Sequence, residues 1–169
     1  MGIVMQTPQK AVEAYLNAVA EKVDKTIIDR MCVFGTECVN KVRDRNKQES
    51  WIDHTGNLRS SIGFSVLRGK EVIDIGGFFA TNAPEGNGRE GQQEGRNYME
   101  REIALCLDDY TLLIVAGMEY ASKVEAIESK DVLASTEIWA KQTWAKSLPN
   151  IKKSITNEIN KLAKEHGLL

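Results

Sequence analysis

From Val12 to Val42, apolar side chains recur in steps of three and four: Val12, Leu16, Val19, Val23, Ile27, Met31, Phe34, Cys38 and Val42. That spacing places them on one face of an α-helix. Thr7-Pro8 reads as an N-cap followed by proline at the first helical position. The only glycine inside is Gly35, at a cost of about 1 kcal/mol. Lys41, Arg43, Arg45 and Lys47 crowd the far end, where the helix dipole favours positive charge. An unbroken helix of about 38 residues would run about 57 Å. Such a length, in a small domain, predicts packing against neighbours as well as against the chain's own core.

The remaining pattern is mixed. Residues 50–62 predict a short helix, capped by Asp53 or Thr55 and holding Leu58, Ser61 and Ile62. Residues 62–67 and 71–75 alternate partly, with Arg68-Gly69-Lys70 as a hairpin turn between them. Residues 76–96 hold Gly76, Gly77, Gly86, Gly88, Gly91 and Gly95 together with Pro84, and predict a long glycine-rich loop. A short helix is expected over 98–107, inside the same excursion. Residues 110–117, YTLLIVAG, have the length and apolar run of a buried strand. A short helix over 119–126 carries Tyr120 and Val124. The last helix starts near Val132 or Leu133, with Ser135 or Thr136 as N-cap. It steps through Trp144, Leu148, Ile151, Ile155, Ile159 and Leu162. Pro149 is expected to kink or divide it, and Gly167 to close it. At 169 residues, 42% of them hydrophobic, one domain spanning 1–169 is expected. Its class is α+β: an antiparallel sheet of three to four strands packed by long N-terminal and C-terminal helices, both on one face.

Composition narrows the function. A net charge of −2 lacks the strongly basic footprint of a free nucleic-acid binder. Three cysteines, an odd number without a pairing pattern, argue against a disulfide scaffold and for a reducing compartment. No apolar run reaches the roughly 18 residues of a membrane span, and the first ten residues do not read as a signal peptide, so synthesis in the cytoplasm is expected. Gly86-x-Gly88-x-x-Gly91 matches the dinucleotide-binding pattern by letter, but no strand feeds it. His54 and His166 are the only histidines, and Cys32 and Cys38 lack zinc spacing. With no nucleophile or acid–base constellation, neither an enzyme, a cofactor nor a metal is expected.

Two blocks carry a resemblance. The first is Asp53-His54-Thr55-Gly56-Asn57-Leu58-Arg59-Ser60-Ser61-Ile62. The second is Gly117-Met118-Glu119-Tyr120-Ala121-Ser122-Lys123-Val124-Glu125, followed by Asp131-Val132-Leu133. Together they resemble the pattern D-x-TGNLR-x-SI … YA-x-x-VE of the head–tail joining, or tail-completion, proteins of long-tailed bacteriophages, which are minor capsid or tail components. Many members continue Val-Glu with Phe-Gly-Thr; here Ala126-Ile127-Glu128 follows. The resemblance implies a structural virion protein at the neck, made in the bacterial host. Six or twelve copies would form a ring joining portal or connector to tail tube or tail terminator, with genomic DNA passing non-specifically through the lumen and no membrane partner. The alternatives are a tail terminator, or a small nucleic-acid-binding module of a mobile element.

In that setting Thr55, Gly56, Asn57, Leu58 and Ile62, with Tyr120 and Val124, are read as the junction. Gly56 permits backbone angles closed to other residues, Asn57 bonds local backbone, and Leu58 and Ile62, four apart, face the core. Arg59 points elsewhere, to a carboxylate such as Glu125 or to one on a neighbouring subunit. Arg89 and Arg96, in the glycine-rich loop, and Trp139 complete the candidate contact residues. Trp139 is either core or an interface anchor. The lysines of the last helix are either a solvated face or a non-specific contact to phosphates.

Overall fold

The computed structural model describes residues 9–45, 51–127 and 130–167. It contains five helices and three strands among them: α1 (Gln9–Arg43), α2 (Asn57–Ser60), β1 (Ile62–Arg68), β2 (Glu71–Gly77), α3 (Arg89–Ile103), β3 (Tyr110–Ala116), α4 (Ala121–Glu125) and α5 (Ala134–Glu165). The fold is α+β, with long helices at both ends and a three-stranded antiparallel sheet in the order β2-β1-β3. The expected cap Thr7-Pro8 and Lys47 lie outside the described residues.

The folded chain gathers into two compact units, and α1 and α5 each contribute to both. One unit comprises residues 9–30 and 144–167. Tyr15 meets His166 edge to face at 5.9 Å, and Lys22 pairs with Glu158 at 3.1 Å. As the α1 number rises the α5 number falls, so the two helices run antiparallel. Ile151 and Ala163 are buried, whereas Leu16 is 57% exposed. The helix α5 runs through Pro149, which was expected to kink or divide it. Gly167 takes the left-handed conformation (φ 67°) and donates its N–H to the Lys164 carbonyl, closing the helix as its position predicts.

The second unit, Met31–Thr143, holds the sheet. Strand β1 is central and is buried from Ile62 to Leu67. Side chains alternate across it. Phe64 lies under Gly35 of α1, where a Cβ would come within 2.8 Å of the ring. Met31, Phe34, Cys38, Val39 and Val42 of α1 are buried, and Trp139 of α5 stacks on Phe34 with centroids 5.5 Å apart. Pairing puts Val115 and Leu113 of β3 beside Gly63 and Ser65. These two β3 residues join Phe78 and Met99 in the cluster under α3. Helix α3 therefore covers the face opposite Phe64. The hairpin turn closes on Gly69 (φ 58°), as the Arg68-Gly69-Lys70 pattern anticipates.

The glycine-rich stretch corrects the loop expected over 76–96. Gly76 and Gly77 end β2, and Arg89 to Arg96 are the first turns of α3, which replaces the short helix expected over 98–107. Gly91 and Gly95, four apart, form a face with no side chain. A Cβ on Gly91 would stand 2.6 Å from the Asn57 Cα, and one on Gly95 would stand 2.7 Å from the Ser61 carbonyl oxygen. Across the contact, a Cβ on Gly117 would meet the Gly95 Cα at 2.5 Å. Glycine is a poor helix former, but here it lets backbone approach backbone. We predict that Gly91→Ala destabilises the chain by about 1–3 kcal/mol through overpacking, read as a lower urea midpoint. Gly69→Asn, at an open turn where asparagine tolerates positive φ, stays within about 0.5 kcal/mol. Equal effects of the two changes would sink this account of α3.

Candidate functional site: the junction of the two motif blocks

The first block is built around a reversal of the chain. Gly56 precedes α2 in the left-handed region (φ 77°), and a Cβ there would press on the Thr81 backbone. The start of α2 leaves N–H groups unmet within the helix. Asp53 accepts the Arg59 N–H at 2.8 Å, and the Thr55 hydroxyl accepts the Asn57 N–H at 3.3 Å. Both expected capping residues are thus used. Leu58 and Ile62 are 1% and 0% exposed, so the inward pair is as the spacing implies.

Asn57 reaches further than its local backbone. Its side-chain oxygen accepts the Gly91 N–H at 3.3 Å, and its amide donates to Glu90 Oε2 at 2.6 Å. It therefore caps α3, 34 residues away. Ser60 accepts the Thr81 N–H at 2.9 Å, and the Thr55 carbonyl accepts the Gly88 N–H at 3.1 Å. These are the contacts that the glycines of the dinucleotide-like pattern serve.

Arg59 does not take the partner expected of it. Its guanidinium donates to the Arg43 carbonyl at the end of α1 and lies 4.9 Å above the Trp51 ring. Arg43 in turn donates to the Arg59 carbonyl and to the Thr81 hydroxyl. Each arginine satisfies a carbonyl that its partner's helix end leaves orphaned. Burial pulls the Arg43 guanidinium below its ordinary value. The charge of Arg59 adds to that effect, while Asp44 and Asp53 oppose it.

Glu125 is equally committed. Its carboxylate accepts the N–H groups of Val132 (3.1 Å), Leu133 (2.8 Å) and Ala134 (2.8 Å). It thereby caps α5 from α4, a role that the sequence reading gave to Ser135 or Thr136. Thr136 is instead buried, and its hydroxyl accepts from Arg45. Arg45 also donates to the Asp131 carbonyl and pairs with its carboxylate at 2.7 Å, while Asp131 accepts the Ser135 N–H at 3.1 Å. Burial alone would push the Asp131 carboxyl up; the hydrogen bonds from Ser135 and Arg45 outweigh it and hold the group below its usual value.

The second block meets the first where the Gly117 N–H donates to the Ser61 carbonyl at 3.1 Å. An open cleft of about 390 Å³ lies between them, lined by Asp53, Thr55, Asn57, Glu90, Met118 and Tyr120. Burial, and then the charge of Asp53, push the Tyr120 phenol up, and a hydrogen bond with Thr55 opposes them. Val124 is half-buried on α4. Asp53 and Glu90 both already accept structural hydrogen bonds here. At the rim His54 Nδ1 lies 3.5 Å from Glu85.

The remaining candidates lie apart from this cleft. Arg96 lies 5.1 Å above the Phe78 ring, and Arg89 is exposed at the start of α3. Neither is on a loop. Trp139 is half-buried between Phe34 and Lys41, whose ammonium stands 5.0 Å from its ring, which places it in the packing of α1 against α5. Cys38 is buried and its thiol is pushed up to about 11, first by burial and then by Glu37. Among the described residues no cluster of three or more His, Cys, Asp or Glu could hold a metal ion, and no helix is long and apolar enough to cross a membrane. The sequence reading missed Thr81 and the bonds made by Arg43, Arg45 and Asp131, the last of which it quoted only as part of the second block. Only the crowding of basic residues near the end of α1 pointed towards Arg43 and Arg45.

No family model matches the chain, and neither a curated protein nor a solved structure is similar to it.

Two predictions follow from the caps. Glu125→Ala removes an acceptor shared by three N–H groups and is expected to cost about 1–2 kcal/mol, with Glu125→Gln in between, by chemical denaturation of the full chain. Should Glu125→Ala leave the midpoint unchanged, the capping role fails. Asp131 titrates below its ordinary value in the fold, so its contribution is present above the unfolded-state pKa and is lost as pH falls through the lower, folded-state one. Asp131→Asn is therefore expected to be less stable than the wild type at neutral pH, with the gap closing as pH falls through that acid range. A gap independent of pH would refute it.

Proposed function

We propose that this protein is a structural component of a phage neck, a head–tail joining protein that forms a ring between the portal or connector side of the head and the tail. The observation that carries this reading is the meeting of the two resembling blocks. The Asp53–Ile62 segment and the segment from Gly117 to Glu125 touch through Ser61 and Gly117 and enclose one cleft. In the same unit the outer edges of β2 and β3 pair with no further strand among the described residues. Val72 and Ile75 on β2, and Phe79 just after it, are 42%, 43% and 57% exposed. Open strand edges flanked by apolar side chains invite pairing with another chain, and a head-to-tail contact that closes on itself makes a ring.

The internal use of Arg59 and Glu125 moves subunit contacts away from the motif. On this reading the motif shapes the subunit, and the edges and helices beside it meet the neighbours. Purified protein, sized by light scattering and viewed in negative stain at rising concentration, is expected to show closed rings of six or twelve copies. Persistent monomers, together with a coding sequence whose neighbours include no portal, capsid or tail-tube gene, would overturn the proposal.

A further inference from the structure

The C-terminal half of α5 carries a face that neither the fold nor the ring contacts above use. Lys146, Lys153, Lys161 and Lys164, with Asn150 and Asn157 between them, recur in steps of three and four, so they line one side of the helix. All six are exposed. The face runs from 146 to 164, about 27 Å at the helical rise. It lies opposite Ile151, Ile155 and Leu162, so packing does not require it. No aspartate or glutamate falls on it. Glu158 is turned towards Lys22, and Glu165 reaches Lys161 only from the flank, at 4.0 Å.

The single sign of this face is not explained by bulk composition. The whole chain is net negative. The antiparallel stretch of α1 mixes its charges, with Lys25 and Asp29 paired at 3.5 Å. A face kept for solubility normally intersperses both signs. An extended array of ammonium and amide donors suits a polyanion. The array also contains no apolar side chain, whereas a protein partner would be expected to need an apolar centre. Contacts to a nucleic-acid backbone need none, because phosphates are met by lysine and by amide side chains without regard to base.

We infer that the Lys146–Lys164 face of α5 binds the phosphate backbone of duplex DNA without sequence preference. The inference rests on the neck reading for the choice of DNA as the polyanion, and it places the lysine face towards the passing genome.

The test is fluorescence anisotropy of a labelled random-sequence duplex with the full chain, between about 50 mM and 200 mM salt. Binding is expected to weaken with log salt at a slope of about −3 to −4, as four phosphate contacts imply. Replacing Lys146, Lys153, Lys161 and Lys164 with glutamine is expected to weaken it at least about tenfold at the lower salt and to flatten the slope. A comparison variant with Lys10, Lys25, Lys70 and Lys123 changed to glutamine removes the same charge from elsewhere and is expected to keep most of the affinity. Circular dichroism melts confirm that both variants fold. No binding by the wild type at low salt, or equal loss in both variants, overturns the inference. So does lysine-dependent self-association without DNA binding, which would assign the face to a second copy. Rings in negative stain without lysine-dependent DNA binding would leave the neck reading standing and remove this one; lysine-dependent DNA binding by persistent monomers, with no portal, capsid or tail-tube gene beside the coding sequence, would do the reverse.

Discussion

With no side chain at Gly91 or Gly95, one face of α3 lies backbone to backbone against α2 and the start of β1, and the unit around the sheet is arranged about that approach. It brings the N-terminus of α3 within reach of Asn57, which caps it. It brings Gly95 against Gly117, so that β3 leads into the second motif block beside the first. It also seats Phe78 and Met99 between α3 and the sheet. A methyl group on this face would have to displace main chain, which cannot yield as the far end of a flexible side chain can.

Around this contact, charged side chains act mainly on helix ends. Arg43 and Arg59 exchange bonds to each other's carbonyls, Glu125 gathers three N–H groups at the start of α5, and Arg45 ties Asp131 to Thr136. Helix termini leave polar groups that must be met, and here residues distant in sequence meet them. Such bonds hold the elements in place while leaving the outer strand edges unpaired among the described residues and the lysine face of α5 exposed.

Much of the fold was legible in the sequence. The three strands fall within two residues of the stretches read for them, β1 and β2 from partial alternation and β3 from its short apolar run. The stepped apolar residues marked α1 and α5, and α5 is not divided at Pro149 but continues through it. The loop expected at 76–96 failed for a specific reason. Glycine content signals a turn when helix propensity alone decides, but at Gly91 and Gly95 the close approach of another backbone decides. Likewise Glu125 and Arg59 read as surface ions free to pair across subunits, since nothing local shows that a helix end will arrive beside each.

The sequence by itself determined the two long helices, the three strands, the inward direction of Leu58 and Ile62, and the special backbone positions at Gly56 and Gly167, because these depend on local periodicity and on the backbone freedom of a single residue. Only the tertiary structure decided that the two motif blocks share one cleft, that the glycines of α3 are a docking face, that Arg59 and Glu125 bond within the chain, and that residues 9–30 and 144–167 form a compact unit of their own. The physical reason is that capping bonds and close backbone approach join groups tens of residues apart, and no local pattern records which partner will come.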